Sequence, residues 1–195
     1  MSEAKRTFGV GELAVAVIFA LAVGFYGGTV FMELRQPAAA GSAPMAQAPG
    51  DDDHGKELSR IKELKAATAA TPKDQALWVE LGNLYFDTHQ AKQSIAAYET
   101  ALSLGKASPD VWTDMGIMQR EAKEPKKALD AFDAALAIDP SHENALYNKG
   151  VVLLHDTGDK AGAAAAWEKL LQVNPGAKTP DGRPLSGIVA ELKRG

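Results

Sequence analysis

The sequence predicts an all-α chain in which helical hairpins repeat and stack behind an apolar N-terminal helix. Three observations lead there. Trp78-x-x-Leu81-Gly82-x-x-Tyr85 is followed 34 residues later by Trp112-x-x-Met115-Gly116-x-x-Gln119. The second halves keep the same register, with Tyr98 answering to Phe132 and Ala101 to Ala135. A fixed period of this kind is one supersecondary unit repeated in space. Ahead of the repeats, Leu13 to Met32 is a run of 20 residues without a charge.

Taken in order, residues 1–12 are a short polar lead and residues 13–32 a transmembrane helix. About 20 apolar residues, rising about 1.5 Å each, cross a hydrocarbon core of about 30 Å. A cleaved signal peptide is the rival reading, although its apolar region is usually about 7–15 residues. Ala38-Ala39-Ala40 or Ala46-Gln47-Ala48 would then serve a peptidase. Lys5 and Arg6 precede the span and Arg35 alone lies close behind it. That bias places the amino terminus in the cytoplasm and the rest outside the inner membrane, in a periplasmic space. Ala16, Ala20, Gly24 and Gly28 share one helical face. Small residues in line let two helices approach closely, so this face is a candidate for pairing with a second copy or another subunit.

Residues 33–55 read as a flexible linker, with Pro37, Pro44 and Pro49 and nothing able to build a core. Asp51-Asp52-Asp53-His54 reads as a solvated charge run rather than a cation site. Residues 56–72 read as a capping half repeat. Leu58, Ile61, Leu64 and Ala67 fall at helical spacing and Pro72 closes them.

Three full repeats follow. The first, 73–107, carries Trp78, Leu81, Gly82 and Tyr85 on one helix and Ile95, Tyr98, Ala101 and Leu102 on the next. Gly82 and Ala101 imply two helices crossing too closely for larger side chains, with Trp78 and Tyr98 filling the space beside the crossing. The second, 108–141, has Trp112, Met115, Gly116, Ala128, Phe132, Ala135 and Pro140, with Gln119 where the first has Tyr85. Pro125 belongs in the turn or at a first helical position, where it is tolerated. The third, 142–176, opens with Leu146, Gly150 and Leu153 and closes with Ala163, Trp167, Leu170 and Pro175. Gly150 to Pro175 is 25 residues against 24 from Gly116 to Pro140, which places one inserted residue in the turn Thr157-Gly158-Asp159. Residues 177–195 are a loop and a second capping helix. Leu185, Ile188, Val189 and Leu192 make its single apolar face. Capping is needed because an open repeat array leaves apolar surface in water.

These residues resemble the tetratricopeptide repeat (TPR) family, and the resemblance implies a helical-hairpin solenoid of about three repeats. Ser94 replaces the family's usual Ala, Lys106 its closing Pro and Gln119 its usual Tyr. The resemblance also implies a concave groove lined by the first helix of each repeat. Its lining positions fall on Val79, Asn83 and Phe86, on Thr113, Ile117 and Arg120, and on Tyr147, Val151 and Leu154. The chaperone-binding members hold a carboxylate with Lys, Arg and Asn. Here Asn83 matches one such position, but Val79 stands for a Lys, Asp114 for an Asn, and Asn144 and Asn148 for basic residues. This groove is therefore not a clamp of that kind.

Composition narrows the function. Net charge is −4, and basic residues are interspersed with acidic ones, so nucleic acid is not an expected partner. The chain has no cysteine, which removes disulfides, thiolate metal sites and a cysteine nucleophile. No His-Glu-x-x-His pattern, phosphate-binding glycine loop or nucleophile elbow is present. His155 falls late in a first helix near the inner surface and reads as a polar surface residue. The expectation is a non-enzymatic adaptor without a cofactor. It would be tethered to lipid by one span and would hold a client protein segment in its groove. Similar single-span TPR subunits serve bacterial cytochrome c maturation, which is a narrower version of the same expectation. A structural subunit that oligomerises through its membrane helix is the alternative.

Overall fold

The computed structural model describes residues 51–194, which belong to one compact unit. The expected span 13–32 and its face of Ala16, Ala20, Gly24 and Gly28 lie outside the described residues. No helix among the described residues is long and apolar enough to cross a membrane. Among the described residues eight helices follow in order: α1 (Asp51–Ala70), α2 (Gln75–Asp87), α3 (Ala91–Leu104), α4 (Pro109–Glu121), α5 (Pro125–Ile138), α6 (Glu143–His155), α7 (Lys160–Val173) and α8 (Leu185–Leu192).

The helices pair as α2/α3, α4/α5 and α6/α7, one hairpin per repeat. Polar residues start the first helix of each hairpin. The Asp74 carboxylate accepts from the Ala76 amide at 3.0 Å, Ser108 Oγ from the Val111 amide at 3.4 Å, and His142 Nδ1 from the Ala145 amide at 3.2 Å. Each satisfies an amide that the helix itself leaves without a partner. Pro125 is the first residue of α5, where the absent N–H costs nothing.

Each hairpin closes on a glycine packed against an aromatic ring. A Cβ on Gly82 would lie 2.5 Å from the Tyr98 ring, one on Gly116 2.7 Å from Phe132, and one on Gly150 closer still to Trp167 Nε1. Those rings are buried almost completely. Glycine is required there for lack of space, which is why it recurs with the period. Ser94 does not disturb the first crossing, because its Oγ donates to the Gly82 carbonyl at 3.0 Å.

The turns explain the shifted third repeat. The first two hairpins turn through three residues, 88–90 and 122–124, with His89 and Lys123 in the left-handed region at φ 54° and 65°. The third turns through four, 156–159, and Gly158 takes the positive φ of 74°. The inserted residue sits where the interval placed it.

Two expectations are corrected. The linker does not run to Gly55, because α1 begins at Asp51. No proline separates Asp51 from Ala70, and one internal glycine costs a helix only about 1 kcal/mol. Leu58 is not a core residue but is 66 % exposed. At 20 residues α1 overhangs the 13 of α2, so only Ile61, Leu64 and Thr68 reach the core while Ala67 is half-buried. At the other end α8 packs on α7, burying Leu185 and Val189 beside Trp167 and Leu170.

Candidate concave groove

The backbones of the first helices approach one another, α2 beside α4 and α4 beside α6, whereas those of α3, α5 and α7 do not. The surface shared by α2, α4 and α6 is therefore the continuous inner face of the stack. The expected groove residues divide on it.

On α2, Asn83 is exposed, and its Oδ1 accepts a hydrogen bond from Tyr98 Oη at 2.8 Å. Phe86 is half-buried. Val79 spends its side chain on packing with Tyr98, Val111 and Met115. On α4, Thr113 is a correction. It is 2 % exposed, and its hydroxyl donates to the Pro109 carbonyl at 2.8 Å and lies 3.4 Å from His142 Nδ1. The start of the third repeat covers it, so it presents no surface to a ligand. Ile117 and Arg120 border a recess of about 280 Å³ with Asn148 and Asp156. Arg120 Nε donates to Asp156 Oδ2 at 2.5 Å, linking α4 to the end of α6. On α6, Tyr147, Val151 and Leu154 border a cavity of about 400 Å³.

That cavity holds what the sequence reading missed. Its far wall is the C-terminal loop, with Thr179, Pro180, Asp181 and Arg183, continued by Ile188 of α8. The loop is internally tied. Thr179 and Arg183 exchange backbone and side-chain hydrogen bonds at 2.9–3.2 Å, Arg183 Nε donates to Asp181 Oδ2 at 2.7 Å, and the Leu185 amide donates to the Ala177 carbonyl at 3.0 Å. Gly182, at φ 84°, supplies the sharp turn. Tyr147 stacks on Trp167 with centroids 6.3 Å apart, and Trp167 Nε1 donates to the Tyr147 carbonyl at 3.0 Å. His155 is exposed at the rim. Pro180 and Gly182 are the visible signals of an ordered loop, but no periodicity says where a loop folds back.

The other missed feature is acidic. Asp110 and Asp114 lie one turn apart on α4, and Asp87, the last residue of α2, is near enough to act on Asp114. Burial, then Asp110, then Asp87 push the Asp114 carboxyl up to about 6, opposed only by His142. His142 Nε2 lies 2.9 Å from Asp110 Oδ1. Burial and the Asp114 charge also push the Tyr98 phenol up.

A larger cavity of about 490 Å³ opens on the opposite side of α2, floored by Trp78, Leu81 and Tyr85. It lies between α1 and α3, whose backbones do not approach closely although Ile61 and Leu64 share a core cluster with Ala97. Trp78 Nε1 donates to the Pro72 carbonyl at 2.9 Å there.

Comparison with known proteins agrees with this geometry. Several solved structures share the fold. The crystal structure of MamA protein aligns with a TM-score of 0.64 at 23 % identity, over 74 % of this chain and 77 % of that one. A tetratricopeptide repeat protein from Parabacteroides merdae aligns at 0.61 and 25 % identity, over 73 % of this chain and 56 % of that one. YrrB, described as a TPR protein with an unusual peptide-binding site, aligns at 0.60 and 18 % identity, over 73 % and 72 %. A comparison with curated protein sequences yields no match. The tetratricopeptide repeat family model matches residues 79–143 and 113–181, together more than half of the chain. With the period, the glycine–aromatic crossings and these overlapping matches in agreement, the chain belongs to the tetratricopeptide repeat family.

Proposed function

We propose that this chain is a membrane-tethered TPR adaptor that holds a segment of a client protein on the inner face of α2, α4 and α6. The observation that carries the reading is that continuous face, which leaves Asn83 exposed and opens recesses at Arg120 and Tyr147. The peptide-binding site in the description of YrrB supports it. The apolar run 13–32 supplies the tether, and the flanking Lys5 and Arg6 favour display on the periplasmic side of the inner membrane. No catalytic role is proposed.

Photo-crosslinking from Asn83, Arg120 and Tyr147 in living cells tests the reading. One client should be captured from all three positions and lost from α1 positions. Capture of nothing, or equal capture from α1, would end it. A narrower reading is a role in cytochrome c assembly, checked by loss of c-type haem staining on deletion. A second reading is a structural subunit assembling through Ala16, Ala20, Gly24 and Gly28. It requires that Gly24→Leu with Gly28→Leu reduce the assembly's size in detergent.

A further inference from the structure

The inner face is chemically polarised along its length. At the α2 and α4 end, Asp87 and Asp114 have no ion-pair partner among the described residues, and Asp110 has only His142. The cations nearest the groove are already matched, Arg120 with Asp156 and Arg183 with Asp181. Lys123 and Glu121, at the outer end of α4, border the same recess and offset each other in charge. A ligand entering the α2 and α4 end meets negative charge with little compensation; Asp114 is half-buried, so its charge is felt more strongly than in bulk solvent, whereas Asp87 and Asp110 are exposed.

At the α6 end the chemistry is different. The cavity of about 400 Å³ is mixed in character: Val151, Leu154, Ile188 and Trp167 give it an apolar side beside Tyr147, while Asp181, Arg183 and Glu191 also border it. Its volume lies within the range of about 300–1,000 Å³ usual for binding sites. Its outer wall is built, because hydrogen bonds within the loop fix the loop's shape and the buried Leu185 anchors its far end.

We propose that the groove takes an extended client segment that places a bulky apolar side chain in the cavity between α6 and the C-terminal loop, and lays basic side chains over Asp114 and Asp87. This rests on the adaptor reading and adds the chemistry of the client. Neighbouring helices pack about 8–10 Å apart, and an extended peptide rises about 3.3 Å per residue. The first basic residue therefore lies about three positions from the apolar anchor and the second about six. Acidic segments and phosphate-bearing partners are repelled by the same carboxylates.

The test uses the full-length chain in detergent and fluorescein-labelled synthetic peptides. Each has one Phe and two Lys at these spacings, in both chain directions. One direction should bind about tenfold tighter at low salt than the same peptide with Glu for Lys, and the gap should shrink as salt rises. Asp87→Asn with Asp114→Asn should bring the Lys and Glu peptides to within about twofold of each other. Replacing the peptide's Phe by Ala should cost about tenfold and tests the cavity without touching the protein. Val151→Phe should abolish that Phe preference, with a melting curve showing that the variant is folded. Equal affinity for Lys and Glu peptides overturns the proposal, as does absence of binding or indifference to the Asn variants. If crosslinking captures a client through an acidic segment, this inference fails while the adaptor reading stands. If it captures no client, the adaptor reading itself fails.

Discussion

The second and third hairpins use the same crossing and finish it differently. In the second, Gly116 meets Phe132 and the inner face stays open and acidic. In the third, Gly150 meets Trp167, whose indole N–H binds the Tyr147 carbonyl, and the chain then returns to wall the face in. The crossing sets the stack. The surface a repeat offers a ligand depends on the segment that comes after it in the chain.

Breaking the third crossing should have the largest effect. Trp167→Ala removes a ring that is 2 % exposed and is expected to cost about 3–5 kcal/mol, read from chemical denaturation. Next comes Leu185→Ala, which leaves a void under the C-terminal segment. It should cost about 2–5 kcal/mol and expose the 176–184 loop to protease before the rest of the domain.

The second hairpin offers the opposite test. Gln119 is buried where the first repeat has Tyr85, and its side-chain oxygen has no hydrogen-bond partner. An unsatisfied buried acceptor costs about 1–3 kcal/mol, so Gln119→Met should stabilise the fold by up to that amount in the same assay.

The smallest effect concerns Asp114. Its folded value, about 6, lies above that of an unfolded aspartate. The neutral form is therefore favoured in the folded chain. Its contribution is fully present below the ordinary carboxylate range and is lost as pH rises through about 6. Asp114→Asn should raise the melting temperature at pH 8 and leave it nearly unchanged at pH 4. An equal rise at both would show that the carboxylate charge is not the cause.

The repeat architecture is legible in the sequence because helix crossing is a local, periodic demand. Gly82, Gly116 and Gly150 each face a large ring, and the 34-residue interval records that contact. The one-residue insertion is visible for the same reason. Leu58 misleads because helical spacing says which residues share a face, not where the neighbouring helix ends. Thr113 misleads because the family's lining position is covered here by the start of the next repeat, an inter-repeat contact that no single repeat encodes.

By itself the sequence determined the all-α hairpin stack, its register, the shifted third turn and the apolar face of α8. Each follows from short-range spacing and the space a side chain needs. The tertiary structure alone decided that Asp87, Asp110 and Asp114 come together, that Arg120 is committed to Asp156, and that the C-terminal loop completes a cavity over α6. Asp87 with Asp114, and Arg120 with Asp156, join residues of different repeats, and the loop returns from beyond the last one, so spacing within a repeat does not show them.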